Sequence, residues 1–151
     1  MTGNLVRYAI AVLAPVFVLA ANPAAAEGPI GQIKTQTGQV TVERGGRAQA
    51  AAIGQHVYQS DVIVTAPGGA VGITFADNSM MTLGPASRLA LNQFRFDTTT
   101  HEGIFDSSLQ KGTLAVKSGQ IVRQTPEAMH IRTPAALLGV RGTEFVVDAG
   151  D

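Results

Sequence analysis

The sequence contains no cysteine among its 151 residues. This absence excludes disulfide bonds, so a packed core must stabilise any folded domain, even in an oxidising compartment. It also excludes thiolate ligands for a metal ion and lipid attachment to an N-terminal cysteine. A mature form free of lipid is therefore expected.

Charge of either sign is also scarce. Asp, Glu, Lys and Arg make up 15% of the chain and the formal net charge is +0, whereas charged residues are about 25% of a typical soluble domain. A neutral chain lacks the basic surface that holds nucleic acid. It also lacks the net acidity of a disordered solvating tail. We therefore predict no nucleic-acid partner.

Motifs for metal binding and catalysis are missing as well. The three histidines, His56, His101 and His130, never stand in an H-x-H, H-x-x-H or H-E-x-x-H pattern, which argues against a metal site. There is no G-x-S-x-G nucleophile elbow. Asp77 and Asn78 lack the EF-hand pattern, and turn chemistry explains both residues. We predict no metal, no cofactor, no catalytic residues and no enzymatic activity.

The first 26 residues have the pattern of a secretory signal peptide. Arg7 precedes an apolar stretch of 13 residues at 8–20, and an A-x-A cleavage site ends at Ala26. The stretch is too short to cross a bilayer of about 30 Å as a helix. We predict a helical signal peptide over 1–26, cleaved after Ala26, and a periplasmic or secreted domain over 27–151. An uncleaved N-terminal anchor is the alternative; after cleavage, no stable membrane insertion is expected.

Beyond the signal segment, apolar residues alternate with polar or small ones. Val40 and Val42 share one face of a predicted strand, and Gly45-Gly46 then supplies the positive φ angles that a tight hairpin turn requires. The same alternation recurs at Val62/Val64, Val71/Ile73/Phe75, Met81/Leu83, Leu89/Leu91, Leu114/Val116, Met129/Ile131 and Phe145/Val147. After Leu91 the apolar positions switch parity to Phe94 and Phe96, which predicts a β-bulge or bend.

Helical periodicity is almost absent. TPAALLG could form a single turn, with Thr133 as its cap, Pro134 at the first helical position and Gly139 at its end. About ten short, mostly antiparallel strands predict a single all-β domain with at most one or two helical turns. A sandwich, a jelly-roll-like fold and a short solenoid all remain open.

A polar, turn-rich segment, DTTTHEGIFDSS, covers residues 97–108. Such segments lie at the surface, move more than the strands that they connect and often carry function. We predict the most mobile loop here, with Asp97, His101 and Glu102 as possible binding residues.

The segment GVRGTEF contains two glycines three residues apart, Gly139 and Gly142. It lacks the spacing and lysine of a P-loop, and the third glycine of a dinucleotide fingerprint. A GXXG clamp for single-stranded RNA belongs to a basic domain with helices. The architectural interpretation is simpler: the glycines let the chain turn, Arg141 contacts carbonyls or a carboxylate, and Phe145 returns to the core.

The order of these segments resembles the FecR domain. GQVTVERGG, AAIGQHVYQSDVIVTAPGGAVGITFADNSMMTLGPASRLAL, LQKGTLAVKSG and MHIRTPAALLGVRGTEFVV follow one another as the strands and turns of that family do, over roughly residues 31–149. Asn78 stands where the family usually has glycine. The most specific part is the terminal signature, formed by Thr133, Pro134, Gly139, Arg141, Gly142, Thr143 and Phe145.

This resemblance implies an extracytoplasmic all-β module. In its best-known setting the module senses an outer-membrane siderophore receptor and signals through a membrane helix to a cytoplasmic sigma-factor regulator. Because only seven residues precede the apolar stretch, we expect no cytoplasmic regulatory domain in this chain.

Two functions remain open on this basis. The first is a non-enzymatic binding or scaffold module that docks an envelope protein, for example by strand pairing at an open sheet edge. The second is recognition of a small molecule or glycan by the 97–108 loop and groups near Arg141.

Overall fold

The computed structural model describes residues 27–151, so the predicted signal peptide, 1–26, lies outside the described residues. Within 27–151 the chain forms thirteen strands and one short helix. The elements are β1 Gly31–Thr37, β2 Val40–Arg44, β3 Arg47–Ala50, β4 His56–Val57, β5 Val62–Thr65, β6 Ala70–Phe75, β7 Met80–Leu83, β8 Arg88–Phe96, β9 Gly103–Lys111, β10 Thr113–Lys117, α1 Gln120–Gln124, β11 Met129–Arg132, β12 Leu137–Gly139 and β13 Glu144–Asp148. The all-β prediction is confirmed.

The strands form two sheets. A six-stranded sheet has the order β13-β10-β7-β6-β1-β4, and a seven-stranded sheet has the order β12-β11-β9-β8-β5-β2-β3. The chain passes from one sheet to the other eight times between β1 and β13. Within residues 27–151, β9 and β11 form a parallel pair, and every other strand pair is antiparallel. The sequence left a sandwich, a jelly-roll-like fold and a short solenoid open, and the structure shows an arrangement of two sheets.

The core lies between the two sheets and follows the predicted alternation. Val71, Ile73 and Phe75 of β6 are at most 2% exposed. Phe75, from the six-stranded sheet, packs edge-on against Phe105 of the seven-stranded sheet, with ring centroids 4.6 Å apart. Phe94 completes this aromatic cluster. Such aromatic pairs contribute about 0.5–1.5 kcal/mol each beyond the area that they bury.

Predicted turns and the predicted bulge also form. Gly45 and Gly46 have φ angles of +56° and +75° between β2 and β3, and Asn78 has a φ of +64° between β6 and β7. In β8 the register shifts between Leu91 and Gln93. This bulge lets strand β8 direct both Leu91 and Phe94 to the core, which explains the parity switch.

The predicted helical turn at TPAALLG is wrong. Thr133 instead closes a tight turn, in which its Oγ1 accepts a hydrogen bond from the amide of Ala136 at 3.0 Å, and Leu137–Gly139 is strand β12. The helical turn lies at α1, Gln120–Gln124, where Ile121 and Val122 are buried. Thr133 therefore makes its side-chain hydrogen bond within a local turn and does not cap a helix.

The predicted loop at 97–108 is too long. Residues from Gly103 onward belong to β9, and only 97–102 form a turn, in which the amide of His101 donates to the carbonyl of Asp97 at 2.8 Å. Phe105 and Ser107 of β9 are both fully buried. A serine at a core-facing position hid the alternation of this strand from sequence reading.

Candidate functional site

The turn between β6 and β7 fixes the position of α1. Asp77 is fully buried, and its Oδ1 accepts hydrogen bonds from the amide and the hydroxyl of Ser79 at 3.0 and 2.6 Å. Its backbone carbonyl accepts the amide of Gln120 at 2.8 Å, and its Oδ2 lies 3.4 Å from the amide nitrogen of Ile121. The N-cap residue, Gly119, supplies no side-chain cap. A residue distant in sequence therefore satisfies amides at the start of the helix.

The segment 141–143 is hydrogen-bonded to Ser118, two residues before this helix. The hydroxyl of Ser118 donates to the carbonyl of Gly142 at 2.6 Å, and the amide of Ser118 donates to the carbonyl of Thr143 at 2.9 Å. Gly142 has a φ of +137°, a conformation that glycine adopts far more readily than other residues. The predicted special backbone conformation therefore occurs at Gly142 but not at Gly139, which lies in strand β12. A Cβ at Gly142 would meet no atom within 4 Å.

A concavity of about 640 Å³ lies between α1 and this segment. We call it the helix concavity. Its lining residues are Ser118, Val122, Arg123, Thr125, Pro126, Glu127, Arg141, Gly142 and Thr143. The lining combines apolar residues, Val122 and Pro126, with charged residues of both signs, a composition that can bind a mixed polar and apolar ligand.

Of the two kinds of partner predicted for Arg141, carbonyls or a carboxylate, the structure has a carboxylate. Nη2 of Arg141 donates to Oε1 of Glu127, and the two side chains are 76% and 72% exposed. Ion pairs this exposed contribute little to stability. The pair therefore leaves both charged groups available at the rim of the helix concavity.

The predicted binding loop borders a second concavity, of about 820 Å³. Asp97 and Glu102 line it, together with Arg95 and Thr125, and Thr125 also lines the helix concavity. Hydrogen bonds from the amides of Thr100 and Thr99 lower the pKa of Asp97, because they stabilise its ionised form. Its Oδ1 is thus engaged in shaping the turn.

The structure separates some of the predicted site residues. His101 lies outside the lining of the second concavity and stacks on Phe96 instead, with ring centroids 6.1 Å apart. Thr133 and Pro134 lie in the turn before β12, and Phe145 is half-buried in β13. Arg141, Gly142 and Thr143 reach the helix concavity, whereas Gly139 borders a smaller concavity beside Arg141.

Sequence reasoning missed the helix side of this site. Ser118, Arg123, Thr125 and Glu127 line the helix concavity, but none stands in a motif that marks a binding residue. Placing them required knowledge of α1, which depends on Asp77.

Within 27–151, no three His, Asp or Glu side chains are grouped so that they could hold a metal ion. The helical segments of the same range include none with the length and apolar character needed to span a bilayer.

Each sheet ends in edge strands, and β13 is one of them. β13 is the terminal strand of the six-stranded sheet and, among residues 27–151, pairs only with β10. Val146 at its centre is 72% exposed. A strand edge of this kind can pair with an extended segment of another chain.

Comparison with known proteins gives one result. No curated protein and no solved structure matches the sequence. The family described as FecR protein matches residues 61–151, from the residue before β5 to Asp151. This match covers more than half of the chain and includes the helix concavity and β13, whereas β1 to β4 precede it. FecR proteins are regulatory and are associated with signalling at the cell envelope, and this chain belongs to the FecR family.

Proposed function

We propose that this protein is a non-enzymatic binding module of the bacterial cell envelope, which takes part in signalling through contact with a protein partner. Membership of a regulatory family supports a role in signal sensing. The sequence of residues 1–26, with its apolar stretch and A-x-A site, supports export to the periplasm or beyond.

The open edge of β13 is the observation that carries the proposal. Its central residue, Val146, is 72% exposed, and the strand has a neighbour on one side only within 27–151. Strand addition supplies affinity through backbone hydrogen bonds and specificity through alternate side chains. A protein partner can use this edge without any catalytic group.

Site-specific photocrosslinking in cells tests the proposal. A photoreactive amino acid is placed at position 146 on β13, at position 123 in the helix concavity, or at position 48 on β3 as a surface control. We expect a protein adduct of defined mass at position 146 or 123 that is absent at position 48. Absence of protein adducts at all three positions contradicts a protein-binding function.

The helix concavity favours a second candidate function, recognition of a small molecule or glycan. Its volume of about 640 Å³ lies within the range of about 300–1,000 Å³ for ligand sites. Arg123 and Thr143 offer polar groups beside apolar Val122 and Pro126. Soluble cell-wall glycan fragments would then raise the Tm of the protein, and Arg123→Ala would abolish that shift. Gln49→Ala, on exposed β3, is the matched control.

A further inference from the structure

The free edge of β13 presents the backbone groups of alternate residues. The amide of Ala149 donates to the carbonyl of Gly112, and the amide of Ser118 donates to the carbonyl of Thr143, each at 2.9 Å. In an antiparallel pair, residues bonded to the partner strand alternate with residues whose backbone points away from it. The residues whose N–H and C=O groups point away from β10 are Glu144, Val146 and Asp148.

The side chains of these three residues are all exposed. They form an acidic–apolar–acidic row on the outer face, while Val147 on the inner face is buried and Phe145 is half-buried. On β10, Lys117 lies opposite Glu144 and Thr113 lies opposite Asp148. The negative charge of the edge is therefore partly offset at one end only.

This pattern opposes pairing with a second copy. Antiparallel pairing of two β13 strands about Val146 would set Glu144 of each copy opposite Asp148 of the other. Like charges placed directly opposite destabilise a strand pair, whereas opposite charges stabilise it. Charged residues on an edge strand are a common means of preventing self-association.

We propose that β13 docks an extended segment of a protein partner in which two Lys or Arg residues, four positions apart, flank three apolar residues. In antiparallel register the basic residues lie opposite Glu144 and Asp148, and the central apolar residue lies opposite Val146. The remaining two apolar residues continue the inner face beyond Phe145 and Val147. This inference rests on the proposed function and specifies its surface and the chemistry of its partner.

Titration of the purified protein with two peptides tests the inference. The probe is Thr-Lys-Val-Val-Val-Lys-Thr, and the control peptide carries Glu in place of both Lys residues. We expect at least tenfold tighter binding of the Lys peptide at low salt, with the preference shrinking as salt screens exposed charges. Hydrogen exchange at the amides of Glu144, Val146 and Asp148 should slow on binding. Equal affinity for the two peptides overturns the inference.

Two variants locate the binding edge. Val146→Pro removes an N–H that points away from β10, so the strand pair is retained, and peptide affinity should fall at least tenfold. Ala48→Pro is the matched control: the bond from the Ala51 amide to the Val40 carbonyl fixes Ala48 as an outward-facing position of edge strand β3. It should leave peptide binding unchanged.

Charge reversal keeps the test decisive if the proline variant fails to fold. The double variant Glu144→Lys and Asp148→Lys should reverse the preference between the two peptides, and an unchanged preference contradicts the inference. Self-association of the purified protein that Val146→Pro abolishes would show that a second copy occupies the edge and would also overturn it. Crosslinking in cells at position 123 but not at 146 would refute this inference while leaving the protein-binding function intact.

Discussion

Asp77 and Ile121 meet across forty-four positions of sequence: Oδ2 of Asp77 lies 3.4 Å from the amide nitrogen of Ile121. The other carboxylate oxygen holds Ser79. The Asp-Asn-Ser turn thus joins a hairpin to the start of α1, the helix that forms one wall of the helix concavity. Its residues shape the site without lining it.

Loss of the Asp77 carboxylate should destabilise the fold. In Asp77→Ala the buried amide and hydroxyl of Ser79 lose their acceptor, and an unsatisfied buried polar group costs about 1–3 kcal/mol. The free energy of unfolding from urea denaturation measures the effect. Asp148→Ala is the control, because Asp148 also accepts the amide two residues ahead, from Gly150 at 2.8 Å, but at an exposed position. A change within about 0.5 kcal/mol is expected there.

Gly119→Ala should also destabilise the protein. A Cβ at this position would overlap the carbonyl oxygen of Asp77 and the amide nitrogen of Ser79, and backbone atoms in a hydrogen-bonded turn cannot move aside cheaply. We expect a loss of about 1–3 kcal/mol in the free energy of unfolding. Gly68→Ala, where a Cβ meets nothing within 4 Å, should be neutral or slightly stabilising. Equal stability of the two variants would contradict this account.

The two glycines of GVRGTEF should respond differently to the same substitution. Gly142→Val forces a β-branched residue into a φ of +137°, which costs about 1–3 kcal/mol. Gly139→Val introduces a good strand former into β12 at a position with open space, so stability should be unchanged or slightly higher. Thermal unfolding of both variants measures the difference. Similar Tm values would mean that backbone conformation at Gly142 has been misread.

The ion pair of Asp106 with Arg132 should make stability depend on pH in acid. Hydrogen bonds from Arg132, with contacts at 2.9 and 3.3 Å, lower the pKa of Asp106 below its ordinary value. Because the folded-state pKa is the lower one, the stabilisation is present above the unfolded-state pKa and is lost as pH falls through the folded-state value. Arg132→Gln should therefore lower the Tm at neutral pH, and the difference from the wild type should close in acid.

A matched variant separates this effect from a general loss of positive charge. Arg47→Gln removes an arginine from exposed β3 that takes part in none of the four ion pairs of residues 27–151. Its Tm should follow the wild-type pH profile. A gap between wild type and Arg132→Gln that persists at low pH would show that the pair acts through packing instead.

Strand positions could be predicted from sequence because their signal is local. A strand with one buried face repeats every two residues, as at Val71, Ile73 and Phe75, and a slip of one residue would reverse its faces. Turns with positive φ were likewise readable from Gly45-Gly46 and Asn78. In β9 the same rule failed, because Ser107 occupies a buried position that an apolar residue would normally mark.

Features that depend on distant residues could not be predicted. The sequence QIVRQ of α1 has no helix cap of its own, and its conformation depends on Asp77, forty-four residues before Ile121. The sequence indicated that Arg141 would contact carbonyls or a carboxylate, but it could neither decide between them nor identify Glu127. The sequence also could not show which strands share a sheet, because pairing joins segments that are far apart in the chain.

The eight passages between sheets have a consequence for how the protein is made. Neighbouring stretches of chain mostly belong to opposite layers, so neither layer can be finished while a part of the polypeptide is still missing. Non-local pairing of this kind slows folding. A chain threaded through a translocation pore would keep unpaired segments within reach of proteases and chaperones until its last strand emerged, and would then fold in one cooperative step.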